Sequence, residues 1–168
     1  YPESVKALSD AGHEVMDHSN THPHMSQLSR EEIQADVSAC ADKIEAVTGV
    51  RPTLFRPPYG EYDDKVITAV RALGIEPIQW DVDSLDWKDL SAGEITQRVT
   101  SKVQPGSIIL FHNAALHTPE ALPGIIEALL KDGYTLVPVS ELILPGTYNT
   151  DYTIDHTGRQ MPCSTAAG

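Results

Sequence analysis

The sequence predicts an α/β fold with a parallel sheet, and three observations support this prediction. Amphipathic helical segments alternate with short apolar segments along most of the chain, which is the order that βα repeats produce. Residues 107–111 are apolar almost without interruption, as expected of a strand that is covered on both faces. Clusters of polar residues follow four of the predicted strands, and sites in parallel α/β folds collect at the carboxyl ends of strands.

Helices are predicted where apolar residues recur at steps of three and four. The clearest begins at Ser29, which forms a capping box with Glu32, and it ends at Gly49. A second capping box, Ser91 with Glu94, opens another helix. Further helices are predicted at residues 3–10, around residues 66–73 and at residues 119–131.

Five strands are predicted between these helices, at residues 13–16, 53–55, 76–80, 107–111 and 134–139. A closed parallel barrel needs about eight strands. Five strands therefore predict either an open sheet or additional strands upstream of Tyr1. Residues 1–144 are predicted to form one domain. Residues 145–168 are polar and predict a C-terminal tail that is loosely packed or disordered.

Composition narrows the classes of partner. The chain of 168 residues carries 24 acidic and 12 basic residues, and its net charge is −12. This charge repels phosphate, so neither nucleic acid nor an anionic membrane is an expected partner, whereas a neutral polysaccharide meets no such repulsion. No apolar run reaches the ~20 residues needed to span a bilayer. The two cysteines, Cys40 and Cys163, indicate neither a disulfide nor a metal site.

His18 and His22 form the first candidate site. Their spacing of four would turn both rings the same way if the loop made one helical turn, so that two nitrogens could bind one metal ion. The alternative is a pair of surface histidines in a polar loop. We interpret His24 as a bystander and His13 as a structural residue.

The segment Arg-Pro-Pro-Tyr-Gly at residues 56–60 forms the second candidate. Pro57 and Pro58 fix the backbone and Gly60 permits a positive φ, so the loop is predicted to be rigid. A rigid loop can hold Arg56 beside a carboxylate and direct a backbone N–H at an oxyanion. The alternative is a stiff turn whose arginine packs on the surface.

The third and fourth candidates are the segment at residues 83–87 and the histidine that ends the most apolar strand. Asp83 and Asp86 place carboxylates next to Trp87, and an aspartate that holds a histidine ring fixes its tautomer. The alternative is an acidic turn with a core tryptophan. His112 is suited to general acid catalysis because histidine changes charge near neutral pH, and the alternative is a satisfied core histidine.

The four clusters at residues 18–22, 56–60, 83–87 and 110–112 together resemble the motifs of carbohydrate esterase family 4, the NodB-like polysaccharide deacetylases. They occur in the family's order, and the resemblance covers residues 1–144. It implies a distorted (β/α) barrel that removes N-acetyl groups from N-acetylglucosamine units of a polysaccharide, peptidoglycan or a chitin-like polymer, and releases acetate. It also implies an extracytoplasmic or cell-wall location in a bacterium.

The resemblance implies roles for residues in the first two clusters. His18 and His22 would be two of three protein ligands of a divalent metal, usually zinc, which would polarise the acetamide carbonyl and activate water. Tyr59 would offer its backbone N–H to the oxyanion. Arg56 would hold the catalytic base, and Pro57 would contact the substrate.

The resemblance likewise implies roles for residues in the last two clusters. His112 would protonate the departing amine, and Asp86 would tune His112. Trp87 and Leu110 would line the pocket for the acetyl methyl group.

One family motif does not occur in these 168 residues. The family's first strand carries Thr-Phe-Asp-Asp, whose aspartates are the base and the third metal ligand, whereas the only adjacent pair here, Asp63 and Asp64, follows the arginine–proline loop. The unit that would carry the motif needs at least ~30 residues. We therefore expect the chain to be incomplete at its N-terminus, and to be inactive without that segment of the same domain.

Two alternative functions are compatible with the sequence. The first is a non-catalytic carbohydrate-binding relic, in which the pocket persists without a base. Three candidate histidines speak against it, since binding a sugar needs none of them. The second is an O-acetyl esterase that acts on xylan, which the residues alone do not separate from an N-deacetylase.

Overall fold

The structure, a computed structural model, describes residues 1–143, 152–154 and 160–162. The chain forms two compact units, Tyr1–Gln79 and Trp80–Gly168, and each is described by itself. None of the helices in the described residues combines the length and the apolarity that a membrane crossing requires.

The first unit contains three helices and one parallel strand pair. The helices are α1 (Pro2–Asp10), α2 (Arg30–Thr48) and α3 (Asp64–Arg71), and the strands are β1 (Leu54–Phe55) and β2 (Glu76–Pro77). The capping box of α2 is confirmed, because the Ser29 hydroxyl accepts from the Glu32 N–H and the Glu32 carboxylate accepts from the Ser29 N–H. A core fills the space between α2, α3 and β1, and it includes Ile33, Val37, Phe55, Val66 and Val70.

The predicted strand at residues 13–16 is wrong as an element. Only Asp17 pairs with β1, through a single parallel bridge to Phe55. The Asp17 N–H donates to the carbonyl oxygen of Leu54 at 3.1 Å, and the Arg56 N–H donates to the carbonyl oxygen of Asp17 at 3.0 Å. This bridge brings the start of the loop at residues 18–22 beside the start of the loop at residues 56–60.

The second unit also combines a parallel strand pair with helices. Strands β3 (Val82–Asp83) and β4 (Ile109–Leu110) run parallel, and the helices are α4 (Ala92–Thr100), α5 (Thr118–Lys131) and α6 (Val139–Leu142). The predicted capping box of Ser91 and Glu94 is confirmed at the start of α4. Its core joins β3 to α4 and α5 through Val82, Ile95, Val99, Ala121, Ile125 and Leu129.

Three further predicted strands differ from the structure, and the first of them, at residues 107–111, is limited to β4. The strand at residues 76–80 is limited to β2, whose pairing with β1 ends with the bond from the Ile78 N–H to the carbonyl oxygen of Phe55, and the next strand begins only at Val82. Residues 134–138 form no strand, and Val139 begins a short helix instead. Leu136 and Val137 are exposed, and no strand in the described part of the chain pairs with this segment, so its apolar residues were misleading.

The predicted tail at residues 145–168 lies mostly outside the described residues. Its described parts, β5 (Tyr152–Ile154) and β6 (Gln160–Pro162), form an antiparallel pair. The mixed α/β class is confirmed. A closed barrel stays a prediction, because the strands that the structure describes are paired two by two.

Candidate active site

His18 is held by the backbone of the neighbouring loop. Its Nδ1 lies 2.5 Å from the carbonyl oxygen of Arg56. A carbonyl oxygen only accepts, so Nδ1 carries the proton and Nε2 carries the lone pair. A metal-binding histidine needs this arrangement, in which one ring nitrogen is fixed by a hydrogen bond and the other is a donor to the metal.

His22 faces His18, although no helical turn joins them. The ring centroids lie 5.1 Å apart with an interplanar angle of 75°. Residues 18–22, which we term the histidine loop, contain two left-handed residues, Ser19 with φ 77° and His22 with φ 54°. The Ser19 hydroxyl accepts from the His22 N–H at 2.9 Å. The two rings therefore lie close together, as their spacing predicts. A strained loop joins them, and not the helical turn that the prediction requires.

Tyr59 adopts a left-handed conformation, with φ 58°, which costs a residue with a Cβ on the order of 1 kcal/mol. Its ring lies 4.6 Å from the ring of His22, edge to face. The ring of His24 stacks on it at 4.3 Å with an interplanar angle of 12°. Pro57 and Pro58 beside it are buried, which is compatible with a rigid loop, and the rigidity itself stays a prediction.

Arg56 is partly buried, and its guanidinium lacks one acceptor. Within the described residues its Nε is buried and has no hydrogen-bond partner. Burial lowers the pKa of this guanidinium from its ordinary value. A buried donor without an acceptor is costly, and a carboxylate is the acceptor that suits a guanidinium best. The site therefore fits an acidic group supplied from outside the described part of the chain.

The two histidines fit the role of metal ligands in part. Two imidazole nitrogens suit zinc and similar divalent ions. The described residues contain no group of three or more histidine, cysteine or acidic side chains that could hold an ion. A catalytic zinc site uses three protein ligands. A metal site built on this pair would need at least one more protein ligand.

Asp17, immediately before His18, is 2 % exposed. Its Oδ1 accepts from the Ser19 N–H at 2.7 Å. Burial raises the pKa of the Asp17 carboxyl, and this outweighs the opposing hydrogen bonds from Ser19 and from the Cys40 side chain. Burial of Cys40, together with the nearby charge of Asp17, raises the pKa of the Cys40 thiol to about 11.

We expect the free energy of unfolding of the natural chain to fall as pH rises, because Asp17 ionises. Asp17→Asn should not show this fall. A carboxyl with a raised pKa in the folded state contributes stability below its ordinary value of 3.8, and that contribution is lost as pH rises through the folded pKa. Urea unfolding at pH 4 and pH 7 measures this. Asp17→Asn should gain stability relative to the natural chain at pH 7, and Asp10→Asn, an exposed control, should not. An equal effect of Asp17→Asn at both pH values would contradict the expectation.

The second unit holds a buried carboxylate that is surrounded by donors. Asp86 is 1 % exposed. Its Oδ1 lies 2.7 Å from the Nδ1 of His112, and its Oδ2 accepts from the His112 backbone N–H at 2.9 Å and from the Thr118 hydroxyl at 2.6 Å. Burial raises the pKa of Asp86, but the bonds from His112, Thr118 and Ser84 outweigh it and hold the pKa below its ordinary value.

The arrangement around His112 fits a general acid. An ionised carboxylate only accepts, so the Nδ1 of His112 carries a proton and donates it to Asp86, and Nε2 is the atom left to exchange protons. Trp87 is 58 % exposed, with its ring centroid 6.4 Å from that of His112, so it is not a core tryptophan. Leu110 is buried at the end of β4.

Sequence reasoning missed several supporting residues. His24, interpreted as a bystander, stacks on Tyr59 and its Nδ1 lies 2.9 Å from Oε1 of Glu61. Thr118, at the start of α5, donates to Asp86. These partners lie 32 to 37 residues apart in sequence, so no local spacing could have revealed them.

The chain is similar to known polysaccharide deacetylases. A polysaccharide deacetylase family model matches residues 1–78. The chain is 37 % identical over 142 residues to the peptidoglycan-N-acetylmuramic acid deacetylase PdaC of Bacillus subtilis, which covers 84 % of the chain. It is 33 % identical over 141 residues to the peptidoglycan-N-acetylglucosamine deacetylase PgdA of Listeria monocytogenes. The chain spans 30 % of the length of each of these two relatives.

The chain is also similar to solved structures. The crystal structure of BA3943, a CE4 family pseudoenzyme from Bacillus anthracis, is 36 % identical with a TM-score of 0.80, over 84 % of this chain and 50 % of that one. The structure of PdaC is 38 % identical with a TM-score of 0.75, over 84 % of this chain and 69 % of that one.

Proposed function

Because the chain belongs to the polysaccharide deacetylase family, carbohydrate esterase family 4, we propose that it removes N-acetyl groups from N-acetylglucosamine units of a polysaccharide and releases acetate. Peptidoglycan is the first candidate polymer, since PdaC and PgdA are named as peptidoglycan deacetylases. The observation that carries the proposal is the buried Asp86 carboxylate bound to the ring of His112. Binding a sugar alone would not need such a pair.

We propose that His18 and His22 hold a divalent metal, with zinc as the first candidate. The tautomer fixed by Arg56 and the facing rings support this role. When bound, the metal supplies a Lewis acid that polarises the acetamide carbonyl and makes water easier to ionise. A further ligand and the catalytic base would come from a carboxylate pair outside the described residues, and the unpartnered Nε of Arg56 would hold one of those carboxylates.

The remaining steps belong to the chain's own residues. The backbone N–H of Tyr59, in a conformation fixed by two buried prolines, would bind the oxyanion. His112 would donate the proton on Nε2 to the departing amine. Asp86 stays ionised and stabilises the imidazolium through Nδ1–H. Trp87 and Leu110 would line the space for the acetyl methyl group.

The same proposal covers the fold and the location. We propose that the two parallel strand pairs belong to a distorted (β/α) barrel, which the likeness to solved family members supports. The polymer would be met outside the cytoplasm or at the cell wall, because the two named relatives act on peptidoglycan.

The test compares this chain with an extended chain, in which a segment carrying the family's adjacent aspartates is joined upstream of Tyr1. Zinc content and acetate release are measured on peptidoglycan fragments, N-acetylglucosamine oligomers and acetylated xylan. We expect the extended chain alone to hold one metal tightly and to release acetate from the first two substrates. Acetate release from xylan alone would favour the O-acetyl esterase instead. Acetate release by the 168-residue chain would refute the need for the upstream aspartates.

A non-catalytic relic is the second candidate, and the resemblance to the BA3943 pseudoenzyme favours considering it. It predicts that the extended chain binds the oligomer without releasing acetate. Calorimetric binding measured beside acetate release distinguishes the two functions.

A further inference from the structure

One carboxylate fastens the histidine loop to helix α2. Asp36 accepts a hydrogen bond from the Asn20 backbone N–H through Oδ1 at 2.8 Å, and one from the Thr21 hydroxyl through Oδ2 at 2.6 Å. Both donors lie between His18 and His22. The two oxygens of Asp36 therefore bind consecutive residues of the segment that joins the two proposed metal ligands.

A lysine on the same helix holds the loop from a second point. Lys43 donates to the side-chain oxygen of Asn20 at 2.5 Å. It lies seven residues after Asp36, which is two helical turns, so both side chains leave the same face of α2. The helix is a firm support, since it has 19 residues, a capping box and a buried side.

The histidine loop needs such support because its backbone is strained. Ser19 and His22 are both left-handed, and each such residue costs on the order of 1–3 kcal/mol and persists only where its surroundings fix it. The bond from the His22 N–H to the Ser19 hydroxyl is internal to the loop. It shapes the loop but does not fix its position, whereas the bonds to Asp36 connect it to a packed helix.

We propose that Asp36 is a positioning residue for metal binding: it holds Asn20 and Thr21 against α2 and thereby keeps the rings of His18 and His22 oriented toward one ion. This inference rests on the proposed role of the two histidines as ligands. The described residues contain no group of three or more histidine, cysteine or acidic side chains that could hold an ion, so Asp36 is not placed as a third ligand. It acts through the loop, whose donors both of its oxygens bind. Residues that orient ligands in this way change metal affinity by about 10–100-fold.

The test measures zinc affinity of the extended chain by competition with a chromophoric chelator. We expect Thr21→Val to weaken binding by roughly 10-fold, and Asp36→Ala by up to about 100-fold. Thr21→Ser keeps the hydroxyl and should keep the natural affinity. Asp42→Ala is the matched control, since it removes another carboxylate of α2 that binds only Arg51 among the contacts described, at 2.8 Å, and it should leave the affinity unchanged.

Three results would overturn the inference. Unchanged zinc affinity in Thr21→Val and Asp36→Ala, with only a lower free energy of unfolding, would show a purely structural role. Weaker binding in Asp36→Ala but not in Thr21→Val would contradict the role of the Thr21 bond, because the inference requires both oxygens of Asp36 to hold the loop. If the extended chain without any substitution binds no zinc, the proposed ligand role of the histidines is refuted, and the inference about Asp36 is refuted with it. This last result is distinct from the other two because it does not depend on any variant.

Discussion

Asp86→Asn in the extended chain is expected to lower kcat for acetate release by about 10³-fold, within the range that general acids contribute. Asparagine has nearly the same shape but carries no charge, so it would not stabilise the imidazolium that the proposed role of His112 requires. Asp86 is buried behind His112 and has no proposed contact with the substrate, so KM should change little. His112→Ala should cost at least as much. The double variant should be no slower than His112→Ala alone, because the two residues act as one unit.

The same substitution changes stability in a pH-dependent way. The folded pKa of Asp86 lies below its ordinary value of 3.8. Its contribution is therefore present above pH 3.8 and is lost as pH falls through the folded pKa. The amide group of asparagine would also point its hydrogens at the groups that donate to Asp86. This would lower the free energy of unfolding by about 1–3 kcal/mol at neutral pH. Urea unfolding of Asp86→Asn should thus show lower stability at pH 7 and a weaker loss of stability in acid.

Asp81→Asn is the matched control for Asp86. Its carboxylate also accepts from a backbone N–H, that of Ile108 at 2.9 Å, and from a hydroxyl, that of Ser107 at 2.9 Å. It makes no described contact with His112. Asp81→Asn should lower the free energy of unfolding and leave kcat unchanged. Equal losses of kcat in both variants would mean that Asp86 matters for folding and not for proton transfer.

The sequence predicted helices better than strands, for a physical reason. A helix is specified locally, so the capping boxes that begin at Ser29 and Ser91 and the apolar periodicity sufficed. A strand exists only where a partner provides hydrogen bonds. Residues 134–138 have the apolar residues of a strand, but no described strand pairs with them, whereas the short β3 at Val82–Asp83 was overlooked because its partner β4 lies 27 residues further along the chain.

The candidate site shows the same limit. Local motifs identified His18, His22 and Tyr59, which the structure brings together in the first unit, and Asp86 with His112 in the second. Long-range contacts such as those of Asp36, Thr118 and Glu61 had no local signal. The left-handed conformation of His22 was also hidden, because only a glycine would have signalled it.

His18→Ala or His22→Ala is expected to weaken zinc binding by the extended chain about 100-fold or more, because even residues that merely orient ligands cost about 10–100-fold. Acetate release should fall in parallel and recover in part at high zinc concentration. His13→Ala is the matched control, since this exposed histidine has one described contact, the bond from its backbone N–H to the carbonyl oxygen of Leu8. It should leave zinc affinity unchanged.

The pattern of losses separates ligand binding from loop structure. If His18 and His22 bind one ion, cobalt substitution should give a visible spectrum in the natural extended chain that each single variant abolishes. Alanine at either position also removes the edge-to-face contact between the two rings, so a loop that merely collapsed would weaken both variants in the absence of metal. If the two rings act mainly as ligands, unfolding without metal should be nearly unaffected, while the stabilisation that zinc adds, which grows with the ratio of zinc concentration to Kd, should disappear. Equal stabilisation by zinc in the natural chain and in both variants would place the metal elsewhere.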